Sequence, residues 1–206
     1  MKRDIPLKTI ERLIKYRRIL DTLSRQGKDF CYSHEIAQLA NNSSAQVRRD
    51  LMQIGYNGTA QQGYMAEELN KIISHTLDLH SLQNVILVGV GNLGKAILSY
   101  FSFQQPSFRI VAAFDVDEQK QNRVISGVHC YPLNDMQNIV RQNETTLGII
   151  TVPAEHAQRI ADEMIQSGIT GILNFAPVPL KVPAEVVVEE LDITLKLQKI
   201  AFLNNK

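Results

Sequence analysis

The sequence predicts an α/β protein in two parts, a small helical domain ahead of a doubly wound parallel sheet. Three observations carry this. Short apolar runs alternate with helix-like stretches from residue 84 onward, the pattern of a parallel sheet with crossover helices. A glycine triplet stands directly after the first of those runs. The first 64 residues hold 11 Lys/Arg against 6 Asp/Glu, whereas the remainder holds 11 against 15.

Pro6 suits the first turn of a helix. Leu7, Ile10, Leu13, Ile14, Ile19, Leu20 and Leu23 then recur near helical period, and Gly27 is placed to end the helix. A second helix fits Ser33 to about Ala40, with Ile36, Ala37 and Leu39 apolar. After Asn41-Asn42, Ser43 is placed to cap a third helix, with Gln46 reaching back as its capping-box partner. That helix runs through Val47-Arg48-Arg49-Asp50-Leu51 to about Ile54. Gly55, Gly58 and Gly63 break the pattern, and Asn57-Gly58 is a hairpin signal. Two helices, a tight turn, a capped basic helix and a Gly-rich hairpin predict a winged helix-turn-helix DNA-binding domain spanning 1–80, with its helix-turn-helix at about 17–56. Residues 65–80 read as a linking helix carrying Leu69, Ile72, Ile73 and Leu77.

Val85-Ile86-Leu87-Val88-Gly89-Val90 is a continuous apolar run of the kind found in a buried parallel strand. Similar runs recur at Ile110–Phe114, Leu147–Val152, Gly171–Phe175 and Val186–Val188, and Ala154–Gln166 between them reads as helix. This second domain spans 81–190. Leu191–Leu203 predicts a closing amphipathic helix with Leu191, Leu195, Leu197, Ile200 and Leu203, within a terminal segment 191–206.

Composition bounds the function. A 206-residue chain that is 44% hydrophobic and 21% charged buries a real core and is not a disordered segment. No window approaches the roughly 18 uninterrupted apolar residues of a membrane span, and no apolar stretch follows the basic start Met1-Lys2-Arg3 to make a secretory signal. Cys31 and Cys130 have no metal-ligand spacing, so a reducing cytoplasm is the expected setting. The basic first third points to an anionic partner at that end, nucleic acid first.

Gly89-Val90-Gly91-Asn92-Leu93-Gly94 is a GxGxxG that follows a strand and opens a helix. Gly89 permits the tight turn, Gly91 lets a pyrophosphate approach the backbone, and Gly94 lets helix and strand pack closely. Asp115 lies 21 residues beyond Gly94 at the end of the next strand, where a carboxylate accepts ribose hydroxyls and repels a 2′-phosphate. The Rossmann unit is thus expected to bind NADH and NAD+. Val116 follows Asp115, and Asp117 reads as a solvated helix cap, with no metal site assigned. Thr151-Val152-Pro153 and Asn174-Phe175-Ala176-Pro177 end further strands, where ligands of such sheets bind; Thr151, Val152, Pro153, Asn174, Ala176 and Pro177 join the expected cofactor site.

Little speaks for catalysis. A dehydrogenase needs a proton donor or acceptor beside the substrate carbon and a domain to grip the substrate. Of His34, His75, His80, His129 and His156, only His156, just past Thr151-Val152-Pro153, is placed near the crevice. No catalytic residue is assigned. At the basic end, Arg48 and Arg49 sit one turn into the capped helix. Early residues of such a helix reach base edges and the basic ones that follow reach phosphates, so Ser44, Ala45, Gln46, Arg48 and Arg49 are expected at DNA. There Gln46 is suited to read adenine and an Arg to read guanine in a bidentate manner.

Five strings together, Ser44–Leu51, Val88–Gly94, Ala112–Asp117, Thr151–Glu155 and Gly171–Val178, resemble the Rex family of redox-sensing transcriptional repressors, in family order over essentially the whole chain. The resemblance implies a homodimer that binds a palindromic double-stranded operator and is displaced by NADH but not by NAD+. It also implies dimerisation by exchange of the helix Leu191–Leu203, no membrane association, and Ile193 near the partner's cofactor. It further implies that Arg18, Tyr100 and Asp192 couple the nicotinamide pocket to the DNA-binding domains, with Tyr100 also at the cofactor. One departure stands out. The wing reads Gly58-Thr59-Ala60-Gln61-Gln62-Gly63-Tyr64, so Thr59 is expected at DNA, but Ala60 replaces the family's minor-groove Arg and removes a favourable electrostatic contact. The preceding aromatic-rich segment is altered too, to Met52-Gln53-Ile54. Two other readings stay open: an NAD-dependent oxidoreductase with an accessory N-terminal domain, and an NADH-binding relative with altered DNA recognition.

Overall fold

The computed structural model describes residues 5–58, 63–77, 82–102 and 107–204. The chain divides into two units, Met1–Ser81 and Leu82–Lys206, each with its own core.

In the first unit, α1 (Leu7–Arg25) starts after Pro6, then come β1 (Phe30–Cys31), α2 (Ser33–Ala40), α3 (Ser44–Gln53), β2 (Tyr64–Met65) and α4 (Ala66–Thr76). β1 pairs antiparallel with β2, Cys31 opposite Tyr64. The core joins Leu13, Tyr16 and Leu20 of α1 to Ile36 of α2, Val47 and Leu51 of α3, and Leu69 and Ile73 of α4. The segment expected as a linking helix is therefore the fourth helix of this domain: its apolar stripe is buried at home. Leu7, Ile14 and Leu39, expected on core faces, are exposed. On α1 the buried stripe runs Thr9, Leu13, Tyr16, Leu20, Leu23, spaced four and three, and Leu7 and Ile14 lie off it.

The turn between α2 and α3 is made by Asn41, left-handed at φ 53°, ψ 56°, and Lys15 Nζ donates to the Ala40 carbonyl at 2.6 Å. Ser43 caps α3 by accepting from the Gln46 backbone N–H at 3.2 Å. The other half of the expected capping box is not made. Ser43 N–H donates to Asn42 Oδ1, and the Gln46 side chain turns the other way, donating from Nε2 to Asp50 Oδ1 at 2.8 Å. A buried carboxylate is the stronger acceptor, and Asp50 is 1% exposed. Arg12 grips it through Nε at 2.6 Å and Nη2 at 2.7 Å, and Tyr16 OH donates to it at 2.9 Å.

The second unit comprises β3 (Gln83–Val88), α5 (Asn92–Ser102), β4 (Phe108–Phe114), β5 (Arg123–Ile125), β6 (Val128–Tyr131), α6 (Met136–Gln142), β7 (Leu147–Ile150), α7 (Ala154–Gln166), β8 (Gly171–Asn174), β9 (Val187–Glu190) and α8 (Ile193–Asn204). Sheet order is β5-β6-β4-β3-β7-β8-β9, parallel except for β5. From β3 the chain builds first toward β6 and then, from β7, the other way. The crevice between β3 and β7 is thus the switch point at which doubly wound sheets take ligands. One face buries Ile86, Phe114, Met136, Ile160 and Met164, the other Leu87, Leu98, Ile110 and Cys130. β5 and β6 were not expected; their two-residue turn, Ser126 (φ 49°) and Gly127 (φ 81°), has the paired positive φ of a tight hairpin.

α8 differs from its expectation in an informative way. The sequence pattern suggested a single apolar stripe. At 100° per residue, Ile193, Leu197 and Ile200 lie on one side and Leu195 and Phe202 on the opposite side, all well exposed. Among the described residues no helix is long and apolar enough to cross a membrane.

The Asp50 cluster generates a prediction. Burial pushes this carboxyl up, but hydrogen bonds from Arg12, Gln46 and Tyr16 outweigh it and hold the group below its ordinary value. A depressed folded pKa contributes stability that is present above the unfolded value of about 3.9 and lost as pH falls through the folded one. Asp50→Asn should therefore destabilise the first unit at neutral pH, by about 3 kcal/mol for a broken buried pair. Melting of the helical signal across a pH series should show the gap from wild type closing below about pH 4; a gap independent of pH would contradict this account.

Candidate functional site

At the switch point the three motif glycines stand in different surroundings. Gly89 sits at φ +101°, and a Cβ there would stand 2.8 Å from the carbonyl of Thr151, so the first motif position needs glycine on both counts. Its N–H donates to Phe114 O at 2.9 Å. From across the crevice Thr151 N–H donates to Val88 O at 2.9 Å, and Thr151 Oγ1 donates to Gly89 O at 2.6 Å. A Cβ on Gly94 would be driven into that same Gly89 carbonyl. Around Gly91, by contrast, a Cβ would meet nothing within 4 Å. The glycine expected to admit a pyrophosphate is the one that faces open space. Beside it Asn92 and Leu93, both exposed, start α5, whose unsatisfied amides favour an anion.

Asp115 closes one side of this cradle. It is 7% exposed. Oδ2 accepts from Val90 N–H at 2.7 Å and Lys120 Nζ at 3.2 Å, and Oδ1 accepts from Asp117 N–H at 2.9 Å. The carboxylate thus fixes the glycine turn itself as well as the loop after β4. Asp117 accepts from Gln119 N–H in a turn rather than at the start of a helix, which corrects its expected role as a helix cap. Lys120, not foreseen, bridges both acids. Burial alone would lower its ammonium, but the bonds to Asp115 and Asp117 hold it above its ordinary value. The signal was local, an Asp-x-Asp-x-x-Lys spacing.

Of the other expected cofactor residues, Val116 is exposed, Thr151 and Val152 are half-buried, and Pro153 stands at the start of α7. Asn174 is fully buried, and its amide is spent on its own loop. Nδ2 donates to Ala176 O and Val178 O, while Oδ1 accepts from Ala176 N–H. It shapes the segment that carries Ala176 and Pro177; its side chain does not project as a ligand group. Tyr100 is exposed on α5, edge-on to Phe101 at 5.5 Å. His156 is exposed in the first turn of α7. Burial pushes both thiols, Cys31 and Cys130, up to about 11, which leaves them protonated and unreactive near neutrality.

In the first unit α3 presents Ala45, Arg48 and Arg49 to solvent, with Ser44 and Gln46 half-buried beside them. Arg48 donates to Ser33 Oγ of α2 at 3.1 Å, and Arg49 to Gln46 Oε1 at 2.8 Å. Thr59, Ala60 and Gln61 of the wing lie outside the described residues. Arg18 is exposed on α1. Asp192 caps α8, its Oδ1 accepting from the N–H groups of Thr194 and Leu195.

Two family models match the chain, one described as a CoA binding domain over residues 80–178 and one as a putative DNA-binding protein N-terminus over 4–51. The redox-sensing transcriptional repressor Rex of Carboxydothermus hydrogenoformans is 40% identical over 198 residues, covering 96% of this chain and 95% of that protein. The chain belongs to the Rex family. The Rex of Listeria monocytogenes is 41% identical over 202 residues, covering 98% of this chain and 94% of its own. Among solved structures, RSP, a Rex-family repressor, in complex with β-NAD+ and operator DNA aligns with a TM-score of 0.89 at 30% identity, covering 98% of this chain and 93% of that one. RSP in complex with β-NADH aligns at 0.86 and 30%, covering 99% and 96%. The Rex relatives are named as repressors, a role without catalysis, and the oxidoreductase reading is set aside on that ground. The expected fold class, a DNA-binding domain ahead of a Rossmann sheet, is that of the Rex family.

The three glycines differ in what they avoid, and this separates their variants. Gly91→Ala should melt like the wild type yet bind NADH on the order of tenfold more weakly, about 1.4 kcal/mol. Gly94→Ala should lower the melting temperature as well, because helix and strand must part. Calorimetric titration with NADH beside thermal melts tests both; an unaffected affinity in Gly91→Ala would remove the pyrophosphate from this position.

Proposed function

We propose that this Rex-family chain binds operator DNA as a homodimer through α3 and is released when NADH occupies the crevice at Gly89–Gly94, so that transcription follows the NADH/NAD+ ratio. The observation that carries the reading is the open space at Gly91, next to the Val90 amide that the buried Asp115 holds, at the switch point of the sheet. RSP, similar over nearly the whole chain, has been solved with β-NAD+ and operator DNA together and with β-NADH. Gly89, Val90 and Gly91 with the start of α5 hold the pyrophosphate and Asp115 receives the adenosine ribose, while Thr151 to Pro153 and Ala176 to Pro177 line the rest. The carboxylate of Asp115 meets a 2′-phosphate with like charge. NADH should accordingly bind more tightly than NADPH, and Asp115→Ala should weaken NADH while narrowing that gap in calorimetric titrations.

The dimer follows from α8. Each of its large apolar side chains forgoes about 1.5–3 kcal/mol while it stands in water, and stripes on opposite sides of the helix suit insertion between two surfaces. A second copy supplies them. The switch residues of the family fit this arrangement. Both capping bonds of Asp192 fall on Oδ1, so Oδ2 can take a guanidinium such as that of Arg18 without uncapping the helix. An Arg–Asp pair made in one state alone, with Tyr100 beside it, is an element that a ligand can bias.

Two reading helices fill successive major grooves only when set about 34–36 Å apart, and swinging such an equilibrium from 1:99 to 99:1 takes about 5.5 kcal/mol of differential binding. The test is DNA affinity by gel shift across an NADH titration. The wild type should release an inverted-repeat duplex as NADH rises. Arg18→Ala should keep NADH binding but lose most of the release, and a chain ending at Glu190 should run as a monomer or aggregate in light scattering. A wild type that binds the duplex regardless of NADH, or an Arg18→Ala variant with full release, would overturn the switch. A well-behaved dimer lacking α8 would overturn the dimer.

A further inference from the structure

The recognition helix α3 carries one side chain, Gln46, whose amide is positioned in a way that decides its role. Its two ends face partners that leave no ambiguity of orientation. Asp50 is an ionised carboxylate and only accepts; a guanidinium only donates. So Nε2 faces Asp50 Oδ1 at 2.8 Å and Oε1 faces Arg49 Nη2 at 2.8 Å. Reading an adenine edge requires the oxygen and nitrogen of the amide to turn together toward the base. Here the nitrogen points inward, at a group 1% exposed, and the bond it makes is charge-assisted.

The anchor behind Gln46 is rigid. Arg12 holds both oxygens of Asp50, Tyr16 OH donates to Oδ2, Asn42 Nδ2 donates to Tyr16 OH at 3.1 Å, and Arg12 also donates to Thr9 Oγ1. Position therefore passes from α1 through Asp50 to Gln46 and out to Arg49, an exposed cation on the reading face. A long side chain in water samples many rotamers; one tethered to a buried cluster is pre-organised for its contact.

We infer that Gln46 is a positioning residue rather than a base reader: it transmits the fixed geometry of the Arg12–Asp50–Tyr16 cluster to Arg49, which makes the contact with DNA. This rests on the proposal that α3 enters operator DNA. It goes beyond that proposal by dividing the reading face into a contacting residue and a supporting one, and it replaces the adenine-reading role expected of Gln46 from sequence.

The test is a double-mutant cycle in the full-length protein with Gln46→Met, Arg49→Ala and the pair. Methionine keeps the size of glutamine and removes both hydrogen bonds. The probe is the duplex that the wild type enriches from a randomised pool, with melting curves and NADH affinity measured on each variant to exclude a folding defect. Gln46→Met should weaken binding by about three- to tenfold and Arg49→Ala by about tenfold or more, the pair being no weaker than Arg49→Ala alone. Repeating the enrichment with each single variant should relax the same base positions, or, where Arg49 meets phosphate, none. Independent, multiplying effects, or loss of one adenine preference on Gln46→Met that persists in the Arg49→Ala background, would overturn the inference and leave the DNA-binding proposal intact. A wild type that enriches no duplex would overturn the DNA-binding proposal, and this inference with it.

Discussion

A carboxylate removed from water must find donors on every side, and each unit of this protein is organised around one that has. Asp50 in the first unit and Asp115 in the second are among the few charged groups the structure buries, and each is matched by a cation, Arg12 or Lys120. Neither sits in the middle of an apolar core. Each lies just behind a surface proposed to bind a ligand, Asp50 under the exposed face of α3 and Asp115 beside the glycine turn. A buried ion pair is a poor source of net stability, because desolvation offsets most of the attraction. What it supplies is direction. The donors around Asp50 fix α3 on α1, and those around Asp115 fix the Val90 amide and the loop after β4. Loss of either acid would leave cations and amides pointing at nothing, so the geometry of both surfaces depends on a buried charge.

This double use of Asp115 bears on how the cofactor is held. The carboxylate already accepts three hydrogen bonds from the protein itself, out of about four lone-pair positions. In the proposed complex a ribose diol would therefore compete with Lys120 for the remaining capacity, the two backbone amides being held by the fold. Lys120, a side-chain donor rather than a backbone amide, would be the member to give way. Its displacement would leave it beside Asp117, to which it is already paired at 3.3 Å, so the change is a shift of partner rather than an exposure of charge.

What could be read from sequence, and what could not, follows from the range of the forces involved. The tight turn at Gly89 and the close packing at Gly94 were legible because backbone sterics act between near neighbours and the motif specifies a local turn. Ser43, Ser33–Ala40 and Ala154–Gln166 were legible for the same reason. Gln46 was misjudged. Its capping-box spacing is real, but its side chain answers to Asp50, which is held by Arg12 and Tyr16, residues 38 and 34 positions away from Asp50. No local pattern carries that. The helix α4 shows the same limit in another form, for period alone says that a stripe is apolar and not what covers it. Asn174 looked like a ligand group because it ends a strand at the crevice, but the unpaired backbone of its own loop claims its amide first.

α8 brings these threads to the question of coupling. Within a single subunit the helix is a misfit: large apolar side chains on two sides and no buried residue. In the proposed dimer the misfit becomes the means of communication, since an element covered by two surfaces registers a displacement of either. It begins directly after β9, at Asp192, whose one oxygen is committed to holding the helix together. In that proposed dimer a ligand that moved the surfaces around the helix would change the pairing of the other oxygen without melting the helix, which could shift as a rigid piece. Coupling of this kind needs a ligand that contacts the two states differently. NADH and NAD+ share every atom that Gly91 and Asp115 would touch and differ only at the nicotinamide ring. In the proposed complex the discrimination between them must consequently arise away from the glycine cradle, at the nicotinamide end of the pocket, while the cradle would supply affinity common to both.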